Sequence, residues 1–396
     1  MKKIQIIGLL LLSAIFMNVQ IAIAQGYKFT EDIRLKDTPV KNQYRSGTCW
    51  SFSAISFLES ELLRMGKGEF DLSEMWAVRN CYYDKGIKTV RLSGALNFGG
   101  GGAFHDVTYV LKNYGLVPEN VYPGLNYGEK KHVHGEMDEV LKDYIDGVIK
   151  NKNKYLSTAW KVGFSGILDA YLGKKPEKFT YKGKEYTPKS FSKEVLGLNA
   201  DDYIEISSFT HHPFYEPFII EIPDNWLWDV VYNLPLDEMI QVIDNALKNG
   251  YTVAWGSDVS EKGFSWKNGI AIVPASAPEE LDNLESAKWA NLDKKDMQKN
   301  MYTFEKPVPE KKITQELRQQ EFDNLKTTDD HGMHIVGMAH DQNGTKYYIV
   351  KNSWSTNGGY DGYFYASEAF VRLKTTDIMI HKDALPKEIK KKLNLK

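Results

Sequence analysis

Cysteine is almost absent: only Cys49 and Cys81 occur in 396 residues. That excludes a disulfide-built scaffold and any cysteine-rich zinc module. Charge of one sign is also lacking. Fifty basic residues face 52 acidic ones, a net of −2, so neither a nucleic acid nor an acidic substrate is implied as a partner. Beyond the N-terminal stretch no apolar run is long enough to span a bilayer. Repeats and low-complexity blocks are missing. His132, His134 and the His211-His212-Pro213 step lack neighbouring Cys or carboxylates at ligand spacing, so they read as solvated loops. No metal and no organic cofactor is expected. Gly99–Gly102 could cradle a phosphate, but the Gly-Lys-Ser/Thr ending of a P-loop does not follow. What is abundant is aromatic: 13%, with nine Trp and 23 Tyr, which suits a large core and an aromatic-lined cleft.

The first residues read as an export signal. Lys2 and Lys3 are followed by the apolar run Ile4–Met17 and by the small-x-small step Ala22-Ile23-Ala24. Cleavage near Ala24 would leave no stable membrane anchor, and no lipid-modified cysteine follows the run. The expected destination is periplasmic or extracellular. Cys81 is expected to be a free thiol there.

The stretch Gln43-Tyr44-Arg45-Ser46-Gly47-Thr48-Cys49-Trp50 carries the chemistry. Trp50, Phe57, Leu58, Leu62 and Met65 lie at helical spacing, and Gly66 and Gly68 follow as stop signals. Cys49 then opens an amphipathic helix, where free N–H groups and the positive dipole end favour a thiolate. Gln43, six residues earlier, can donate to an oxyanion.

Further on, Ser73 or Asp71 caps a second helix, and the glycine loop feeds a third helix closed by Gly115. Pro235–Asn249 is a helix and Tyr251–Gly256 a strand. A further helix falls near Ile313–Leu325. His331–Met338 and Lys346–Trp354 are strands joined by the Asp341-Gln342-Asn343-Gly344 turn. This hairpin brings His331 and Asn352 side by side. His334 competes with His331 as a base, but three residues apart on a strand they face opposite ways. His331 is preferred, since His334 lies within the apolar run.

Gln43 with Cys49-Trp50, Asp330-His331-Gly332 and Asn352-Ser353-Trp354 resemble, in type and order, the papain-like cysteine peptidases. Gly101-Gly102, Tyr114-Gly115 and Tyr122-Pro123 match as well. The likeness spans roughly residues 38–124 and 230–375. Within that family the chain is most similar to the bleomycin hydrolase and aminopeptidase C branch. Ser46 stands where secreted papains have a disulfide cysteine, and long insertions part the motifs. Export and Ser355, in place of a glycine, depart from that branch. The resemblance implies an α+β, two-lobe papain-like fold. A helical lobe would carry the Cys helix, and an antiparallel β-barrel-like lobe would carry His and Asn. The boundaries expected are 1–24 signal, 25–124 helical lobe, 125–230 insertion, 231–276 start of the β lobe, 277–328 charged helical insertion, 329–380 β lobe and 381–396 tail.

The resemblance further implies roles. Cys49 would be the nucleophile, His331 the base and then acid, and Asn352 the orienter of the imidazole. Gln43 would bind the oxyanion with the Cys49 N–H. Gly101 and Gly102 would meet the substrate, and Trp354 would shield the Asn–His bond. The function implied is a thiol aminopeptidase acting on peptides through an acyl-enzyme. The alternatives are a papain-like endopeptidase and an inactive peptide-binding homologue. Hexamers are implied by family likeness. An aminopeptidase needs one end of the cleft blocked. The C-terminal tail, or a carboxylate such as Asp201 or Asp202, is expected to do this.

Overall fold

A computed structural model describes residues 26–275 and 301–395. The predicted leader lies outside the described residues, as does most of the 277–328 segment's first half.

The centre is helix α1, Cys49–Arg64. It was expected to be amphipathic, yet it is buried on all sides from Trp50 to Leu62. The reason is that both halves of the molecule pack on it. Its polar residues are satisfied inside. Glu59 accepts from the Thr38 hydroxyl at 2.6 Å and from Leu72 N at 2.8 Å. Ser51 donates to Glu74 O at 2.9 Å.

On one side lie α2 (Glu74–Arg91), α3 (Phe104–Asn113), α4 (Gly135–Ile149) and α5 (Ala159–Leu172). The Ser73 hydroxyl caps α2, accepting from Trp76 N at 2.9 Å. Their apolar faces share one core with Ile55, Phe57 and Leu58 of α1. A small hairpin, β2 (Phe179–Tyr181) with β3 (Lys184–Tyr186), and the short helix α6 (Pro188–Phe191) close that core through Phe179 and Phe191.

On the other side is one eleven-stranded sheet. Its order is β5 (Pro217–Ile219), β6 (Val230–Asn233), β4 (Tyr203–Ser207), β13 (Thr375–His381), β7 (Val253–Ser257), β10 (His331–Asp341), β11 (Lys346–Lys351), β12 (Tyr363–Ser367), β9 (Ile270–Ala271) and β8 (Phe264–Ser265). β1 (Phe29–Arg34) pairs with the far half of β10. β10 is the pivot. Its first residues pair with β7, His331 opposite Ser257, and its last with β1. Helix α7 (Leu236–Lys248) packs against this sheet through Leu236, Met239, Ile243 and Leu247. β4 and β6 place residues from 203 onward within the main sheet, beside β13.

The two halves meet tightly. A Cβ at Gly332 would come within 2.8 Å of the Ser53 hydroxyl and 3.2 Å of Trp50 Cα, so the start of β10 lies flush on the head of α1. Buried Lys351 then pins β11 to the opposite half, donating to Thr38 O at 2.6 Å and Ser56 Oγ at 2.8 Å.

Candidate active site

Cys49 stands at the first turn of α1, entered through a turn at Gly47 (φ +64°) and a Ser46–Thr48 hydroxyl contact of 2.5 Å. The backbone N–H groups of Gly332 and Trp50 bear on its sulfur and favour the thiolate. His331, at the tip of β10, lines the same cleft. Its Nε2 lies 2.7 Å from Asn352 Oδ1. That oxygen also accepts Ser353 N at 2.7 Å, which fixes the amide with its oxygen toward the ring. Nε2 therefore carries the proton, and Nδ1 is the free basic nitrogen. Trp354 lies over the imidazole, ring centroids 4.5 Å apart and tilted 30°, and covers the His–Asn bond.

Gln43 is buried beside the same loop. Its Oε1 accepts the Ser353 hydroxyl at 2.6 Å, and its backbone N–H bonds Ser353 O at 2.9 Å. With the amide oxygen occupied, the NH₂ end remains as a donor. His334 is placed elsewhere. It is buried against α1, with Nδ1 3.0 Å from Ser56 Oγ. Burial and the neighbouring Lys351 hold it neutral.

The glycine loop differs in detail from expectation. Gly102 lines the cleft, and a Cβ there would come within 2.8 Å of the Trp50 ring. Gly101 is covered instead. Its Cα faces the Asp224 carboxylate, which leaves no room for a Cβ. Lys85 braces the loop from below, donating to Gly99 O at 3.1 Å and to Gly101 O.

The electrostatics set burial against the helix N-terminus, which was expected to favour a thiolate. Here burial pushes the Cys49 thiol up to about 12, with Asp329 and Asp224 adding to the rise against the Gly332 and Trp50 N–H groups. Burial likewise pulls His331 down to about 4, partly offset by the Asn352 bond. Burial thus works against either group charging alone. A proton passed from sulfur to imidazole creates two opposite charges together, and each stabilises the other.

Both carboxylates nominated as cleft blockers are engaged at the surface. Asp201 pairs with Lys112 and Asp202 with Lys382, each at 2.7 Å. The tail is also elsewhere. Ile389 of its helix, Lys387–Lys392, and Leu393 are buried against the α7 side of the sheet, and Lys392 pairs with Glu238 at 2.7 Å. The acids that do line the cleft are Asp224, Asp329, Asp330 and Asp377. Sequence reasoning missed three of them. Asp329, adjacent to the Asp330-His331 motif, was the one with a readable signal. Cys81 is free, as is Cys49; it is buried, 3.8 Å from Asp106 O.

A sequence profile of the Peptidase C1-like family matches residues 11–276 and 292–396. The chain is similar to aminopeptidase C of Lactobacillus delbrueckii subsp. lactis, 24% identical over 91% of this chain and 83% of the relative. Aminopeptidase G of the same organism is 22% identical over 88% and 82%. The crystal structure of pepw from Lactobacillus rhamnosis shares the fold. It has a TM-score of 0.68 at 22% identity and covers 92% of this chain and 84% of that one. With nearly its whole length matched by the profile, the chain belongs to the Peptidase C1-like family.

Proposed function

We propose that the protein is a thiol aminopeptidase that removes N-terminal residues from peptides. The observation that carries the chemistry is the bonded His331–Asn352 pair in one cleft with Cys49 at the head of α1. The exopeptidase part rests on the aminopeptidase names of the relatives.

The reaction follows from the site. As Cys49 Sγ attacks the scissile carbonyl carbon, its proton moves to His331 Nδ1. Gln43 NH₂ and the Cys49 N–H hold the developing oxyanion, each such donor being worth roughly 3–4 kcal/mol of barrier. Asn352 keeps the ring in the tautomer that can accept, and Trp354 keeps water from their bond. The imidazolium then protonates the departing amine. Water, deprotonated by the same ring, cleaves the thioester and restores the thiol.

The position of the tail gives the endopeptidase reading its one specific support, since residues 387–395 pack away from the cleft. A fluorogenic aminoacyl amide with a free amine, compared with its N-acetyl form, separates the two. Preference for the free amine, lost on treatment with an epoxide thiol reagent, is the expected result. Equal turnover of both forms would move the assignment to an endopeptidase.

Export through residues 1–24 and assembly into a hexamer belong to the same proposal. The first is supported by Lys2-Lys3, the Ile4–Met17 run and the Ala22-Ile23-Ala24 step. N-terminal sequencing of exported protein should begin near Gln25. Light scattering should give six times the chain mass.

A further inference from the structure

Beside Cys49 the cleft closes into a cavity of about 30 Å³, enough for one or two water-sized groups. Asp224 reaches it from the loop between β5 and β6, Asp329 from the residues before β10, and Asp377 from β13. These acids are not used by the Cys–His–Asn chemistry.

Their partners are few. Asp377 is only 4% exposed, and its Oδ2 has no hydrogen-bond partner among the described residues; Oδ1 accepts only the Thr376 hydroxyl, at 3.0 Å. Asp329 makes no hydrogen bond or ion pair with any described residue. Asp224 is held by Asn97 Nδ2 at 2.9 Å and lies on Gly101. Asp330, by contrast, is occupied by Ser260 N and the Thr328 hydroxyl. Of the neighbouring cations, Lys85 is tied to the glycine-loop carbonyls, His105 bonds Glu205 at 2.8 Å, and Arg318, which acts on Asp377 through space, spends Nε and Nη1 on the carbonyls of Ser208, Arg372 and Leu373. Burial, with Asp224 and Asp377 adding, holds the Asp329 carboxyl up, and burial with Glu205 adding holds up that of Asp377.

We propose that Asp224, Asp329 and Asp377 form a cation site that holds the free α-ammonium of the substrate and so selects N-termini. This deepens the aminopeptidase reading and rests on it. Geometry favours the α-ammonium over a Lys or Arg side chain as the source of the charge. The α-nitrogen lies two bonds, about 2.5 Å, from the carbonyl carbon that the sulfur attacks. Its anchor must therefore adjoin the sulfur. Asp329 and Asp224 line the same pocket as Cys49.

The test uses D224N, D329N and D377N in the full chain. Three probes are compared by kcat/KM: alanyl coumarylamide, its N-acetyl form, and an N-blocked dipeptidyl coumarylamide with Arg as the residue before the last. Melting temperature and the rate of Cys49 labelling by an epoxide report folding and an intact nucleophile. The expected result is a fall of at least tenfold in the free-to-acetylated ratio for D224N and D329N, carried by KM. An unchanged ratio in variants that fold and label normally would overturn the proposal. A selective loss on the Arg probe would also overturn it, in favour of a side-chain pocket. If the wild type already cuts both alanyl probes equally, it is the aminopeptidase reading that fails, before any variant is measured.

Discussion

Asn352 Oδ1 accepts two hydrogens at 2.7 Å, one from His331 Nε2 and one from the N–H of Ser353. The second bond holds the acceptor in place for the first. Asn352→Ala should therefore leave the base present but free to turn, with kcat/KM falling roughly 10- to 100-fold, within the range of acid–base contributions. His331→Ala should cost more, and His334→Ala, whose ring bonds Ser56 instead, should keep kcat while lowering the melting temperature. Steady-state kinetics alongside thermal melts check all three. A dead His334→Ala that folds normally would contradict the assignment.

The pH profile follows from His331. Burial holds its imidazole near 4 in the free enzyme. The base is thus neutral and competent throughout pH 5–8, and kcat/KM should fall only as pH approaches 4. An acid limb centred near 6.5, the ordinary imidazole value, would contradict this. The companion experiment is alkylation of Cys49. In His331→Ala the thiol loses its proton acceptor and stands far above the usual thiol range. Iodoacetamide should label it slowly at pH 7, at a rate that climbs past pH 9. Rapid labelling at pH 7 would mean that the helix N-terminus alone suffices to form the thiolate.

Asp377 should make the fold less stable as pH rises. Burial, with Glu205 adding, lifts its carboxyl from 3.8 to about 7. Between those values the unfolded chain has released a proton that the folded chain keeps, so stability falls as pH increases through the window. Asp377→Asn removes that dependence. It should be more stable than the wild type at pH 8 and equal to it near pH 4. Denaturant unfolding at both values checks the sign. A variant equally destabilised at both would mean that Asp377 serves packing alone.

The tail should matter to stability rather than selectivity. Leu393 is buried against the α7 side, and Lys392 bonds Glu238 and Tyr215. Deleting residues 393–396 should lower the melting temperature, a buried leucine being worth about 2–3 kcal/mol. The free-amine preference should persist. Loss of that preference in the truncated chain would restore the tail as the gate.

Much of the site was legible because its residues sit in short local patterns. The turn at Gly47 and the apolar run after it locate Cys49 at a helix head, and the Asp341–Gly344 hairpin brings Asn352 back to His331. The burial of α1 on all sides was not legible. Its serines and glutamates look solvent-facing until Thr38, Leu72 and Glu74 arrive from distant segments to satisfy them. The acidic cavity was hidden for the same reason. Asp224, Asp329 and Asp377 are far apart in sequence, and only the pairing of β13 with β7 and of β7 with β10 draws two of them to one place. The tail misled because its length permits a reach over the cleft, whereas the spacing of Ile389 and Leu393 fits a helix docked on the sheet's far side.

The most direct measurement is the product ladder from an unblocked ten-residue peptide, followed by mass spectrometry with the wild type and with Cys49→Ala. The account predicts loss of single residues from the N-terminus in order, and no products at all from Cys49→Ala. Internal fragments appearing first, or turnover surviving in Cys49→Ala, would contradict it.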